Sequence, residues 1–135
     1  MNRIFQKIGL LMLVCSFTAS AQLAVTVSSP KIVGQKVIVA LAMTNNLAAS
    51  VESARAICFL MDEQGKVIGQ SAKWVIGGEK IRPALAPKTG TDYNFVITSQ
   101  LPFTTTNFTA KVSFSRVVME GGKNTDVSKV VEITP

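Results

Sequence analysis

Apolar and polar residues alternate along much of this chain with a period of two, which is the pattern of a β-strand that buries one face. The clearest case is the run 108–115, in which Phe, Ala, Val and Phe alternate with Thr, Lys, Ser and Ser. The runs 93–98 and 23–28 alternate in the same way, and the run 127–133 does so less regularly. Each of these segments is therefore predicted to be a strand.

Two further runs, 37–44 and 54–61, are apolar on both faces. In the first run, Ile38, Ala40 and Ala42 form an apolar face opposite the Val, Leu and Met residues of the other face. Strands of this kind are either covered on both sides or present an apolar stripe to a partner. Small residues are also tolerated on a solvent-facing side, so the pattern leaves these interpretations open.

Clusters of Gly, Pro, Asn and Asp separate the alternating runs and mark turns. About seven short strands punctuated in this way within roughly 110 residues predict an all-β, antiparallel β-sandwich. The segment 47–56 is ambiguous, because it is rich in Ala and its apolar residues also fit a helical spacing. A strand from about residue 53 is favoured, since the following apolar run leads directly into a turn.

The segment after Cys58 carries two adjacent carboxylates, Asp62 and Glu63, close to Gly65. A nucleophilic cysteine needs a base, usually histidine, and this chain contains no histidine. Gly65 can supply the left-handed conformation of a hairpin loop, and the carboxylate of Asp62 can accept hydrogen bonds from the turn. The segment is therefore predicted to be a hairpin with Cys58 buried, and no catalytic residue, cofactor or metal ligand is predicted in the chain.

Residues 1–21 have the features of a secretory signal peptide. Arg3 and Lys7 precede a short apolar run, and the small residues 19–21 form a cleavage site. The apolar run is about half as long as the roughly 20 residues of a membrane-spanning helix. We therefore expect cleavage before Gln22, a periplasmic or secreted location, and no stable membrane insertion after cleavage.

The segment 22–135 is expected to be a single domain, long enough to bury a core. Removing Arg3 and Lys7 lowers the net charge from +6 to +4 at pH 7, and the remaining charges are scattered. This distribution predicts no nucleic-acid partner. Cys15 would leave with the signal segment, so no intrachain disulfide is expected.

One stretch concentrates basic residues around a tryptophan and is a candidate patch for an anion or a glycan. Its members are Lys73, Trp74, Lys80, Arg82 and Lys88. The alternative is an exposed crossover in which Trp74 turns into the core, because Trp74 alternates in phase with Ala72 and Ile76.

Residues 36–98 resemble the small bacterial immunoglobulin-like domains of the FxLYD kind. The stretches that carry this resemblance are Asn45-Asn46, Cys58-Phe59-Leu60-Met61-Asp62 with Gly65, Leu85-Ala86-Pro87 and Tyr93-Asn94-Phe95. Of the five-residue motif, Leu60 and Asp62 match, while Cys58 and Met61 stand where aromatic residues are expected. The resemblance implies an extracytoplasmic immunoglobulin-like β-sandwich without a known catalytic role, and it transfers no binding residue.

We therefore expect an exported, non-catalytic binding, adhesion or envelope-assembly module. A fimbrial or envelope subunit that pairs by strand addition is an alternative, and a small carboxylate-dependent hydrolase is another. Ile57, Phe59 and Met61 form the candidate partner surface, on the face opposite Cys58. If this face continues into the second apolar face of the run 37–44, it would dock a protein partner or a second copy of the chain.

Overall fold

The computed structural model describes residues 21–79, 82–98, 103 and 107–135. The expected signal segment therefore lies outside the described residues, apart from Ala21. The described strands are β1 (Leu23–Val27), β2 (Lys31–Val33), β3 (Lys36–Asn45), β4 (Val51–Met61), β5 (Val67–Ile76), β6 (Gly90–Thr98), β7 (Thr109–Met119), β8 (Lys123–Thr125) and β9 (Val131–Thr134). One helical turn, α1 (Val127–Val130), precedes the last strand.

The strands form two sheets. In sheet A, β1 and β2 pair with one edge of β3, β6 pairs with the other edge, and β9 pairs with β1. Sheet B has the order β5-β4-β7-β8. All pairs are antiparallel except β1 with β9. This confirms the predicted all-β sandwich. The seven strands expected from the sequence become nine because β2 and β8, with three residues each, carry no alternating pattern of their own.

Alternation places the core between the sheets. In β7, Val112 and Phe114 are buried while Lys111 and Ser113 are exposed, as the sequence pattern predicted. Phe95 of β6 is fully buried in the same cluster of apolar side chains, which draws on both sheets. Burial of large apolar side chains of this kind is the main favourable contribution to folding.

The ambiguous segment 47–56 contains no helix, because β4 begins at Val51. Within β4 the small residues Ala54, Ala56 and Cys58 point inward with Leu60 and are fully buried. In β3 the side chain of Ala42 lies on the outer face of the sheet and is exposed. The second apolar face of that strand is therefore explained by small residues, which a solvent-facing side tolerates.

The hairpin between β4 and β5 forms as predicted. Asp62 Oδ1 accepts hydrogen bonds from the backbone N–H groups of Gln64 and Lys66, both at 2.9 Å. Gly65 occupies the left-handed region at φ 80°. The Asp62 carboxylate therefore holds the turn together, which is the structural role expected of it.

A β-bulge changes the phase of β5. Ala54 pairs with Ile76, whereas Arg55 pairs with Trp74, so Val75 is an extra residue on β5. Val75 and Ile76 are consequently both buried, and Trp74 lies half-buried on the outer face beside Arg55. The expectation that Trp74 shares an inward face with Ile76 was wrong, because an alternating pattern cannot reveal the inserted residue.

Asn45 at the end of β3 is the buried polar residue of the core among the described residues. Its side-chain amide donates to the carbonyl oxygens of Ala49 at 3.0 Å and Leu85 at 2.9 Å. Its side-chain oxygen accepts from the backbone N–H of Leu47 at 2.9 Å. The sequence indicated only a turn at this position, yet the side chain connects the turn after β3 to the loop before β6.

We expect Asn45→Ala to lower the free energy of unfolding by about 3 kcal/mol or more, because each buried polar group left unpaired costs about 1 to 3 kcal/mol. Asn46→Ala is the matched control, since Asn46 is exposed. Urea denaturation of the two variants measures the difference. Equal denaturation midpoints would contradict the role assigned to the Asn45 side chain.

Candidate functional site

The outer face of sheet B carries a group of apolar side chains. Cross-strand partners lie on the same face of a sheet, and Arg55 pairs with Trp74 while Ile57 pairs with Ala72. The residues of this face that are apolar and half-buried, which we call the sheet B patch, are Ile57, Phe59, Met61, Ala72 and Trp74. The structure thus brings together the three predicted residues of the partner surface and adds two from β5.

Polar residues surround the sheet B patch on both neighbouring strands. Gln70 of β5 lies opposite Phe59 on one side, and Lys111 of β7 lies opposite it on the other. Ser113 and Thr109 continue this polar border beside Ile57 and Met61 and are exposed. An apolar centre with a polar rim is the usual arrangement of a protein interface.

The proposed continuation of this surface into the second apolar face of β3 was wrong. Ile38, Ala40 and Ala42 lie on β3, which pairs with β1, β2 and β6 in sheet A. β4 pairs with β5 and β7 in sheet B. The outer faces of two packed sheets point in opposite directions, so the two sets of residues cannot form one stripe.

The predicted basic patch is not assembled as expected. Lys73 and Trp74 both lie within β5 rather than in a connection, and they are consecutive, so their side chains point to opposite faces. Lys88 belongs to the loop beside Asn45, to which its backbone N–H donates at 2.7 Å. Lys80 lies outside the described residues.

Arg82 has a structural role in this region. Its Nη1 donates to the backbone oxygen of Trp74 at 2.9 Å and forms an ion pair with Glu79 at 3.1 Å. Its guanidinium also lies 5.1 Å from the ring centroid of Tyr93, a distance at which a cation is attracted to the aromatic face. Arg82 therefore links β5 to β6 through these contacts.

Cys58 lies in the core and is fully buried, as the sequence predicted. Burial raises the pKa of its thiol to about 11, because the charged thiolate would lose its hydration. At neutral pH the thiol is therefore protonated. The nucleophilic form of cysteine is the thiolate, so the geometry gives this residue the character of a core side chain.

Other chemical groups are dispersed. Across the part of the chain that the structure describes, no three His, Cys, Asp or Glu side chains come together in a way that could hold a metal ion. In the same part, no helix has the length and apolar character needed to cross a membrane.

The concave regions among the described residues include the following three. One, of about 160 Å³, lies where β5 ends and β6 begins and is lined by apolar residues together with Arg82 and Asp92. Another, of about 280 Å³, opens at the end of the sandwich beside Phe108. The third, of about 350 Å³, lies on the outer face of sheet A above Ala40 and Ala42.

We expect Cys58 to resist a thiol reagent in the native protein at pH 8 and to react fully in denaturant. Because the folded-state pKa is raised from 9.0 to about 11, the stabilisation from the neutral thiol is complete below pH 9 and is lost between pH 9 and 11. Urea midpoints between pH 8 and pH 10.5 should therefore fall more steeply for the native chain than for Cys58→Ala. Rapid labelling of the folded protein would contradict the assigned burial.

No family model matches the chain, and no curated protein gives a significant match. Several solved structures are similar to it, and two of them share its fold with a TM-score above 0.5. A Bordetella pertussis protein described as ApaA is 20% identical, with a TM-score of 0.52, over 78% of this chain and 87% of its own. IrmA from Escherichia coli is 10% identical, with a TM-score of 0.52, over 85% of this chain and 92% of its own. At these identities the similarity concerns the fold alone, and the resemblance to FxLYD-type domains stays a prediction.

Proposed function

We propose that this protein is an exported, non-catalytic binding module that docks a protein partner on the sheet B patch. The single observation that carries this proposal is the apolar centre formed by Ile57, Phe59 and Met61 with Trp74 on a face that packs against no other described strand layer. Sandwich strands normally place polar residues on such a face. An apolar group with a polar rim favours association with another protein surface.

Phe59 is the proposed anchor of this contact. It lies at the middle of the patch, with Ile57 and Met61 beside it on β4 and polar residues opposite it on both neighbouring strands. Central aromatic residues surrounded by polar neighbours contribute most of the binding energy in many interfaces. Trp74, on the adjacent strand, is positioned to form the second large contact.

Binding rather than catalysis is favoured by the chemistry of the available groups. The chain has no histidine, and the Cys58 thiol is buried and neutral. The Asp62 carboxylate, one of the eight acidic side chains, accepts hydrogen bonds from the turn. These features support an interaction role, and the hydrolase remains the less favoured proposal.

Export is supported by the order of charge, apolar run and small residues in 1–21. We expect protein recovered from the periplasm or medium of the host to begin at Gln22. Intact-mass measurement after cell fractionation checks this expectation. A cytoplasmic protein that retains residues 1–21 would overturn the proposed location, and a lipid on Cys15 would replace it with a membrane-anchored form.

We expect Phe59→Ser to abolish photo-cross-linking to envelope proteins from a probe placed at Met61, because the substitution removes the central apolar contact. Val33→Ser is the matched control, since Val33 is an apolar residue of sheet A that is 49% exposed. It should leave the cross-linked product unchanged. Both variants should keep the melting temperature within a few degrees, as expected for surface changes.

Two results would contradict this proposal. Equal cross-linking by Phe59→Ser and the native chain would show that Phe59 does not anchor the contact. A large fall in the melting temperature of Phe59→Ser, without any cross-linked product from the native chain, would assign Phe59 to packing within the sheet.

A further inference from the structure

One side of the sandwich has two long strands whose outer edges are free of any described strand. β5 ends sheet B with ten residues, and β6 ends sheet A with nine. The opposite side ends in the much shorter β8 and β9. Unpaired edges expose rows of N–H and C=O groups that can pair with another chain, and long edges are usually protected.

The edge of β5 carries such protection. Its pairing with β4 shifts register at both ends, which inserts Ile68 near the start of the strand and Val75 near its end. Lys73 points toward the inner face, because it pairs with the buried Ala56. Bulges and an inward-pointing charge are two of the devices that prevent strand addition.

The edge of β6 carries none of these devices. Its register with β3 is continuous from Lys36 with Thr98 to Thr44 with Gly90, without a bulge. The strand contains no proline and no basic residue, and its one charged side chain is Asp92. Among the described strands it is therefore a regular, nine-residue edge without such protection.

The hydrogen-bond pattern shows which groups of β6 face outward. The N–H of Asn45 donates to the oxygen of Thr89 at 2.9 Å and its own oxygen accepts from the N–H of Lys88 at 2.7 Å, so the backbone groups of Asn45 face β6. In an antiparallel ladder, the backbone groups that face the partner strand recur at every second residue. The backbone groups of Asp92, Asn94 and Val96 therefore point away from β3, toward the open edge.

The surroundings of this edge define the side chains that an added strand would carry. Gly69 of β5 lies against Ile97, and Arg82 connects Trp74 to Tyr93, so β5 and β6 run side by side in opposite directions. Lys73 is consequently level with Tyr93. An inward-facing carboxylate on the added strand would meet its ammonium group.

The cleft at the end of β5 indicates a second side chain of the added strand, besides the carboxylate opposite Lys73. It has a volume of about 160 Å³ and is lined in part by Val75, Ile76 and Leu85. A cavity of about 150 Å³ accommodates a molecule the size of benzene, so this cleft fits one apolar side chain. Residues two apart lie on the same face of a strand, just as Lys73 and Val75 do on β5.

We propose that β6 is a strand-addition site for an extended segment of a partner protein that pairs antiparallel to β6 with the pattern acidic-x-apolar, whose carboxylate pairs with Lys73 and whose apolar side chain enters the cleft. Backbone pairing supplies affinity and the two side chains supply selectivity. A second copy of this chain is disfavoured as the occupant, because side-by-side pairing about β6 would bring two Lys73 side chains together. The site is separate from the sheet B patch and does not depend on it.

The test uses synthetic peptides of about ten residues that alternate threonine and valine, with a glutamate-threonine-leucine unit at the C-terminal end. Binding to the folded protein is measured by titration calorimetry. Replacing glutamate with lysine in the peptide should weaken binding at least about tenfold, through loss of the charge pair. In Lys73→Glu the preference should reverse, so that the lysine peptide binds more tightly.

Backbone pairing is tested by Asn94→Pro against Asn94→Ala. Proline at residue 94 removes an N–H group that points away from β3, so no hydrogen bond to β3 is lost. Edge strands accept proline where the N–H group faces solvent. Asn94→Ala removes only the side chain, so binding lost in the proline variant alone supports strand addition. Thermal melts of both variants check that the fold is intact, and the charge reversal at Lys73 provides the test if Asn94→Pro unfolds.

Three outcomes would overturn the proposal. The first is equal binding by the glutamate and lysine peptides to the native chain and to Lys73→Glu. The second is unchanged binding by a folded Asn94→Pro variant. The third is concentration-dependent self-association of the native chain in sedimentation experiments that Asn94→Pro abolishes, which would make a second copy the occupant.

Discussion

The connection between the two sheets depends on the buried amide of Asn45. Its backbone pairs with the loop before β6, through Thr89 and Lys88, while its side chain binds Ala49 and Leu85. The same loop pairs with the first residue of β4 through Leu85. One residue thus satisfies backbone groups of the two segments that cross between the sheets, the turn after β3 and the loop before β6. Without the Asn45 side chain, the loop between β5 and β6, which contains Arg82, would lose its hydrogen bond from Asn45 to Leu85.

The sequence predicted those features of the fold that depend only on residues close together in the chain. The alternation in β7 and β6 placed Phe114 and Phe95 in the core correctly, because the side-chain period of a strand depends on the chain alone. The hairpin at Gly65 was predictable for the same reason. The bulge at Val75 was not, since an inserted residue is defined by the pairing with β4.

The candidate site was predicted in part. Ile57, Phe59 and Met61 were identified from their period, but their neighbours Ala72 and Trp74 follow from strand pairing, which the sequence of one segment does not specify. The assumption that β3 and β4 lie side by side failed for a related reason. Consecutive strands usually pair, but in a Greek-key sandwich the chain crosses to the other sheet between some of them.

The parallel pairing of β1 with β9 has a consequence for how the chain folds. Leu23 lies opposite Val131, so sheet A includes both ends of the described domain. Contacts between residues so distant in sequence form slowly, because the chain must close a large loop first. During synthesis, β1 is made well before β9, so its second edge stays uncovered until Val131–Thr134 have been added. Until then its exposed edge is open to incorrect pairing, and a delay in the appearance of the C-terminus would lengthen that interval.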